Sequence, residues 1–246
     1  MICRLILDEP RCGAFNMAAD EWLLRNAPSV GCPTLRFYFW SSPTLSLGYF
    51  QKYADRAQHS ESVPCAAVRR ASGGGAILHH HELTYSYITP IDDRVRSSAS
   101  DIYDIFHDTL IETLATYNIH ARKADDGDAQ QADNNAFLCF TRRSIGDVVM
   151  ENAKIAGSAQ RRHANALVQH GSVLLSRSEF APQLPGIGDI TSVQIPLEQL
   201  IADWSQLLSE RQNLQFDAQP FTDSECDLIQ QIVETRFGTD EWQKRR

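Results

Sequence analysis

Apolar residues recur every four positions between residues 101 and 117, at Ile102, Phe106, Leu110 and Leu114, which is one face of an amphipathic helix. An earlier stretch, NMAADEWLLRNA, sets Met17, Leu23 and Leu24 at helical spacing, carries acids in its early turns and opens on Asn16, a good N-cap residue. Strand patterns dominate elsewhere. TLRFYFW and TLSLGYF are rich in β-branched and aromatic residues and are separated by a Ser-Ser-Pro turn, so they are expected to be neighbouring strands. CAAVRR and ELTYSYIT read as further strands, the second alternating Leu83, Tyr85 and Tyr87 onto one face. DVVMENAKIAG reads as a hairpin turning at Glu151-Asn152, and ALVQHGSVLLS as the strand after it. By contrast ARKADDGDAQQADNN has almost no apolar content and is expected to be a mobile surface loop. Two helices, near residues 197–208 and 224–237, are expected to finish the chain, with Gly238 able to cap the second. The strands come in clusters without a helix between each pair, so the pattern implies an α/β (α+β) chain with a mixed, largely antiparallel sheet. No repeat or linker divides residues 1–246, and one domain with a substantial core is the expectation.

Composition narrows the function classes. With 43% hydrophobic and 22% charged residues the chain has the make-up of a soluble globular protein. No run approaches the ~20 apolar residues of a membrane span. The N-terminal MICRLILDEPRCGAFN is interrupted by Asp8 and Glu9 and lacks the series of a signal peptide, so a cytoplasmic protein with no membrane partner is expected. The six cysteines show neither a C-x-x-C pair nor zinc-like spacing, which indicates neither a disulfide framework nor a metal site. Burial as a small hydrophobe is the ordinary fate of a free thiol and is expected for every cysteine except Cys139.

A net charge of −8 argues against nucleic acid as a partner, because such binding needs a basic face. Residues 142–163 nevertheless carry five basic side chains (Arg142, Arg143, Lys154, Arg161, Arg162) against Asp147 and Glu151. That segment is either a patch for a negatively charged partner or an ordinary solvated strand pair.

Two stretches concentrate candidate chemistry. In VRRASGGGAILHHHELTYSY, three consecutive glycines would weaken any helix or strand, a cost that brings backbone N–H groups close to a ligand. Arg69 and Arg70 before them could hold a phosphate or carboxylate. The Walker spacing is missing, and a plain flexible turn is the alternative. Of His79, His80 and His81, at most the first and third share a strand face, and no third ligand is near; a substrate-facing His79 with the other two at the surface is expected, and no metal site. In DVVMENAKIAGSAQRRHANALVQHGSVLL, Lys154 is followed by the small Gly157-Ser158-Ala159, which leaves room for a ligand beside an ammonium able to neutralise an oxyanion. An exposed strand lysine is the plain alternative.

Together NMAADEWLL, LRFYFWSSPTLSLGYFQ, VRRASGGGAILHHHELTYSY, KIAGSAQRR, VQHGSVLL and GDITSV resemble, in order and over roughly residues 5–195, the motifs of the lipoate-protein ligase and octanoyltransferase family, related to the catalytic domain of biotin protein ligases. The resemblance implies a mixed sheet flanked by helices, a tunnel for an eight-carbon acyl chain, and transfer of that acyl group to a lysine of a lipoyl domain or of a glycine cleavage H protein. It implies an acyl site lined by Ser72, Gly73, Gly74, Gly75, Ala76 and His79, with Lys154 on the acyl carbonyl and Gly157, Ser158, Ala159, His170 and Gly171 around the same pocket. Burying each methylene contributes about 0.8 kcal/mol, so a tunnel with a closed end can measure chain length.

Two chemistries occur in that family. Ligases activate the free acid with ATP and magnesium, in which case Arg69, Arg70 and Lys154 would hold the adenylate phosphate. Octanoyltransferases take octanoyl from its thioester on acyl carrier protein through a cysteine and need no cofactor. Cys139 lies eight residues before Asp147, in the register of that cysteine, although the following Thr-Arg-Arg-Ser departs from the subgroup's Asp-Ala-Pro-Ser type of sequence. Gly146-Asp147 in place of the ligases' Asn-Asp, Gln194-Ile195-Pro196 in place of their arginines, and the expected lack of a C-terminal accessory domain point the same way. The expectation is therefore a transferase with Cys139 as nucleophile and Lys154 as partner. The ATP-dependent ligase is the alternative, and a non-catalytic lipoyl- or biotinyl-binding homologue a third reading.

Overall fold

The computed structural model describes residues 1–91, 98–131 and 136–246. Eleven strands and seven α-helices follow one another as β1 (Ile2–Leu7), α1 (Gly13–Val30), β2 (Thr34–Tyr38), β3 (Thr44–Leu47), β4 (Ala66–Arg69), β5 (Ile77–His79), β6 (Glu82–Pro90), α2 (Ser98–Thr116), β7 (Arg122–Lys123), α3 (Asp126–Gln131), β8 (Val148–Met150), β9 (Ala153–His163), β10 (Ala166–Leu174), α4 (Ile187–Ile190), α5 (Leu197–Gln212), β11 (Gln215–Ala218), α6 (Asp223–Ile232) and α7 (Asp240–Gln243) among the described residues. Eight strands form one sheet in the order β11-β1-β2-β6-β10-β9-β8-β7. Its β11–β1 and β1–β2 pairs are parallel and the other five antiparallel, the mixed, largely antiparallel arrangement expected. A smaller sheet runs β4-β3-β5.

Helices cover both faces of the large sheet. Leu83, Tyr85 and Tyr87 point together into the core under α2 and α5, where Phe106, Leu110, Leu114 and Trp204 are also buried. Tyr85 stacks on Phe106 with ring centroids 4.9 Å apart, and Trp204 meets Tyr85 edge-on at 5.1 Å. On the other face α1 packs Leu23 and Leu24 against Ile6, Ile88 and Val168. Leu45, Leu47 and Leu78 of the small sheet share a separate core with Leu138 and Phe140.

Several elements differ from the sequence expectations. TLRFYFW and TLSLGYF do not pair: β2 lies between β1 and β6, whereas β3 is the centre of the small sheet. Both are buried along their whole length, so each serves as an interior strand of its own layer. The turn between them is tied to the loop after β1, with the Ser41 N–H donating to the Arg11 carbonyl. Asn16 does not cap α1. The helix begins at Gly13, and the buried Asn16 side chain reaches across to β2, accepting from Arg36 Nη2 at 2.7 Å.

The polar stretch 121–135 is not simply a loop. It contains β7 and α3, held by local charge in place of apolar burial: Asp125 Oδ1 accepts from the Gly127 and Asp128 N–H groups, and Asp128 accepts a fork of bonds from Arg122 at 2.6 and 3.0 Å. Its last residues, 132–135, lie outside the described residues. The hairpin turn falls as expected, with Glu151 in the left-handed region at φ +50. Of the five cysteines expected in the core only Cys3 and Cys65 are buried; Cys12 is exposed, and Cys32 and Cys226 are half-buried. The pattern after residue 224 ends in a π turn at Val233–Phe237, and α7 adds a helix that periodicity did not reveal. Gly238 does close that turn, donating to the Val233 carbonyl at 2.8 Å, but from an ordinary φ of −92. Among the described residues no helix is long and apolar enough to cross a membrane.

Candidate active site

Where the small sheet leans on β9 and β10, the fold encloses a cavity of about 310 Å³. The glycine run supplies one wall. Arg70 is buried and wraps that turn from within, donating to the carbonyls of Ser46, Gly73 and Gly75 at 2.6 to 2.8 Å. Burial pulls its guanidinium down to about 10. Gly74 sits at φ +94, a conformation open to glycine, and a Cβ there would come within 3.0 Å of the Arg70 guanidinium.

Cys139 enters the same cavity through backbone pairing. Its N–H donates to the Ala76 carbonyl at 2.6 Å, and the Ala76 N–H donates to Phe137 at 3.1 Å, so the cysteine segment is stitched to the residue that follows the glycines. Gly75 lies beneath this junction, where an added Cβ would be 3.3 Å from the Cys139 Cα. Cys139 begins a single 3₁₀ turn, Cys139–Thr141, half-buried at the cavity wall.

Lys154 projects from β9 into the opposite wall and is buried, which removes the exposed-lysine reading. Its Nζ is 2.7 Å from Asp147 Oδ2 and 5.2 Å from the Phe140 ring centroid. Asp147 also accepts from the Ser144 N–H at 2.7 Å and from the Tyr103 hydroxyl at 3.2 Å. Burial, together with that carboxylate, pushes the Tyr103 hydroxyl well up from its usual range, so it stays a donor. Gly157 makes the lysine's path possible, since a Cβ would stand 2.4 Å from Lys154 Cε.

Across β9 and β10, Ala159 faces His170 and Ser158 faces Gly171, which brings the two small-residue motifs into register. Burial, with the nearby Arg70, His79 and Arg161, drives His170 down to about 3, so its ring is neutral; Nε2 shares a hydrogen bond with Ser72 Oγ at 2.7 Å. His107, also kept neutral by burial, donates from Nδ1 to the Gly146 carbonyl and accepts from Ser158 at Nε2. This orients a chain of bonds running Gln160 to Gln169 to Tyr85 to Ser158 to His107. The small residues at 157–159 and 171 thus leave the space, and this chain holds its floor.

His79 is set differently. Its ring stacks on Trp40 at 3.8 Å, and Nδ1 donates at 2.6 Å to Glu82 Oε1, which also accepts from Thr84 and Ser172. That leaves Nε2 as the side of the ring available to the cavity that His79 lines. His81 is exposed as expected, whereas His80 is half-buried, its Nδ1 sharing a hydrogen bond with Ser178 Oγ at 3.0 Å. Among the described residues no group of three or more His, Cys, Asp or Glu could hold a metal ion.

Of the residues singled out in the sequence, Arg70, Gly73, Gly74, His79, Cys139, Lys154, Gly157, Ser158, Ala159, His170 and Gly171 line the cavity, while Ser72, Gly75 and Ala76 support it from behind. Arg69 lies apart. Its guanidinium donates to the carbonyls of Gly48, Gln51 and Gln243, which ties the loop after β3 to α7. The basic run 142–163 is only partly paired inside the fold: Lys154 pairs with Asp147 and Arg143 lies 3.9 Å from Asp128, whereas Arg161 shares Glu21 with Arg25 and Arg236. Sequence reasoning missed Tyr103, His107, Glu82 and the pairing role of Asp147. Tyr103 and His107 are spaced i, i+4 on α2, and that spacing was the only available signal.

A family model described as the lipoyl protein ligase A/B catalytic domain matches residues 12–181. The chain belongs to this family. Over 99% of both chains it is 32% identical to the octanoyltransferase LipM of Brevibacillus brevis, and over 98% of this chain and 97% of the relative it is 30% identical to LipM of Anoxybacillus flavithermus. The family member described here is an acyltransferase, and its chemistry is octanoyl transfer in protein lipoylation. Two solved structures share the family fold at 20% identity: a lipoate-protein ligase A bound with ATP (TM-score 0.80, 99% of each chain) and the bipartite lipoate protein ligase of Thermoplasma acidophilum, studied with its E2 lipoyl domain (TM-score 0.78, 99% of this chain and 96% of that one).

Proposed function

We propose that the protein takes octanoyl from a thioester on acyl carrier protein, holds it on Cys139, and passes it to a lysine of a lipoyl domain or of a glycine cleavage H protein. The observation carrying this reading is that Cys139 and Lys154 line one cavity, with the thiol's backbone anchored to the glycine strand. In the first half the Cys139 thiol loses its proton and its sulfur bonds to the acyl carbonyl carbon. The donor C–S bond breaks, and the departing thiolate takes up a proton. In the second half the acceptor amine nitrogen bonds to the same carbon, the Cys139 C–S bond breaks, and the amine gives up a proton. Lys154, paired with Asp147, stabilises the oxyanion of each tetrahedral intermediate. His79, oriented by Glu82, receives the proton at Nε2 and returns it to the sulfur. The acyl chain lies along the cavity, whose volume falls at the low end of the roughly 300–1,000 Å³ typical of small-molecule sites. The scheme uses neither ATP nor a metal.

The test is intact-mass measurement after incubation with octanoyl acyl carrier protein in the absence of ATP. One octanoyl group should be gained by the wild type and by no Cys139→Ala sample. ATP-dependent transfer from free octanoate, with no adduct on the wild type, would establish the ligase route instead, and the lack of both activities would favour a binding protein.

A further inference from the structure

Apart from the basic run at 142–163, part of which is paired inside the fold, positive charge gathers at a second place beside the cavity. Arg245 and Arg246 lie over Tyr49 and Phe50, and Phe50 is 68% exposed. The Arg245 guanidinium lies 4.4 Å from the Tyr49 ring and 4.7 Å from that of Trp242, and Arg246 lies 5.3 Å from Phe50. Among the described residues neither Arg245 nor Arg246 pairs with a carboxylate.

The patch is also built in place. The Tyr53 N–H donates to the Arg246 carbonyl at 2.8 Å, Trp242 Nε1 donates to the Arg69 carbonyl at 2.8 Å, and the Tyr49 N–H donates to the Ser72 carbonyl at 2.9 Å. Phe50 would be 3.9 Å from a Cβ at Gly73, which lines the cavity. The patch is therefore one side chain away from the site. Aromatic and arginine side chains held in fixed geometry are the composition of energetic centres at protein interfaces. On a chain of net charge −8, an acidic partner is repelled in general and attracted here.

Resting on the proposed transfer to a lipoyl-domain lysine, we infer that the Phe50 loop with Arg245 and Arg246 is the docking surface for the acceptor domain, engaging an acidic patch on it. The acceptor fits better than the donor for a reason of reach. A lysine amine sits on a stem of four carbons, so its domain must seat at the cavity rim to bring nitrogen to the acyl carbon. A thioester carried on a much longer flexible arm can enter from a domain seated farther away.

The experiment titrates a fluorescently labelled, unmodified lipoyl domain against the full chain and its Arg245→Glu/Arg246→Glu and Phe50→Ala variants, at low and at physiological salt. Binding by the double variant should weaken about tenfold or more at low salt and lose most of its salt dependence, and Phe50→Ala should weaken it at both. Acyl-enzyme formation from octanoyl acyl carrier protein should proceed at the wild-type rate in each variant, and the melting temperatures should match. Wild-type affinity in the double variant, or no binding of the domain by the wild-type chain, overturns the inference. So does slower acylation with unchanged lipoyl-domain binding, which would assign the surface to the donor. Should the wild type form no acyl-enzyme while the domain still binds in an arginine-dependent way, the thioester route fails and the docking surface stands.

Discussion

Two buried cations on the same sheet have different fates. Arg36, on β2, is fully buried, and its guanidinium is saturated: it donates to Asp8 at 2.7 and 3.1 Å, to Asp20 at 3.2 Å, and to both the side chain and the carbonyl of Asn16. Lys154, on β9, makes one ion pair with Asp147 and otherwise faces a ring and open space. Burial of charge alone therefore does not mark a site. The distinguishing property is unspent capacity: a cation with bonds to give and a cavity in which to give them.

Substitutions at the two positions should separate chemistry from stability. Lys154→Met should lower kcat for octanoyl transfer by about 10³-fold, the scale for losing an oxyanion donor, with a smaller loss of stability than at Arg36 because Asp147 keeps its bonds from the Ser144 N–H and the Tyr103 hydroxyl, read by steady-state kinetics and calorimetry. Arg36→Met should do the opposite, removing about 3 kcal/mol of stability because Asp8 and Asp20 are left buried without their partner, while kcat of the folded enzyme stays within a few-fold. Denaturant titration beside active-site thiol counting checks this, and equal loss of activity from both variants would erase the distinction.

Gly157→Ala tests the path of the lysine side chain. A methyl group 2.4 Å from Lys154 Cε must displace it, and a shift of about 1 Å should cost up to 10²-fold in kcat. The loss should be smaller than in Lys154→Met, and the fold should be kept. The smallest effect concerns acid. His170 is depressed to about 3 by burial and by the cations near it, whereas an unfolded histidine titrates near 6.5. Between those values the unfolded chain binds a proton that the native ring refuses, so stability falls as pH falls below about 6.5. From pH 6.5 to 5 this should amount to roughly 1–2 kcal/mol, and His170→Gln should flatten that slope in melting curves.

Legibility in the sequence followed the range of the interactions. The amphipathic α2, the β8–β9 hairpin and most strands were visible, because period and turn chemistry act over a few residues. That β2 and β3 belong to different sheets was not visible, since both are short apolar runs and only the packing decides which layer each joins. In the polar stretch at 121–135, helix formation rests on Asp125 and Asp128 bonding locally, a signal that hydrophobic patterning ignores. The cavity's principal side chains emerged from motifs, but their partners did not. Asp147 reaches Lys154, and Tyr103 reaches Asp147, through the fold, and Glu82 meets His79 across a turn whose direction the letters alone do not specify.

The stacking of Trp40 on His79 gives the protein an optical sensor. The indole lies flat against a ring that lines the cavity and is pinned by its own bond to Thr84 at 2.9 Å. Its emission therefore reports the polarity and charge beside it without any attached label. An acyl chain displacing solvent from the cavity, or a proton arriving on the imidazole, would change that emission, so each half of the transfer could be followed in a stopped-flow cell by light alone.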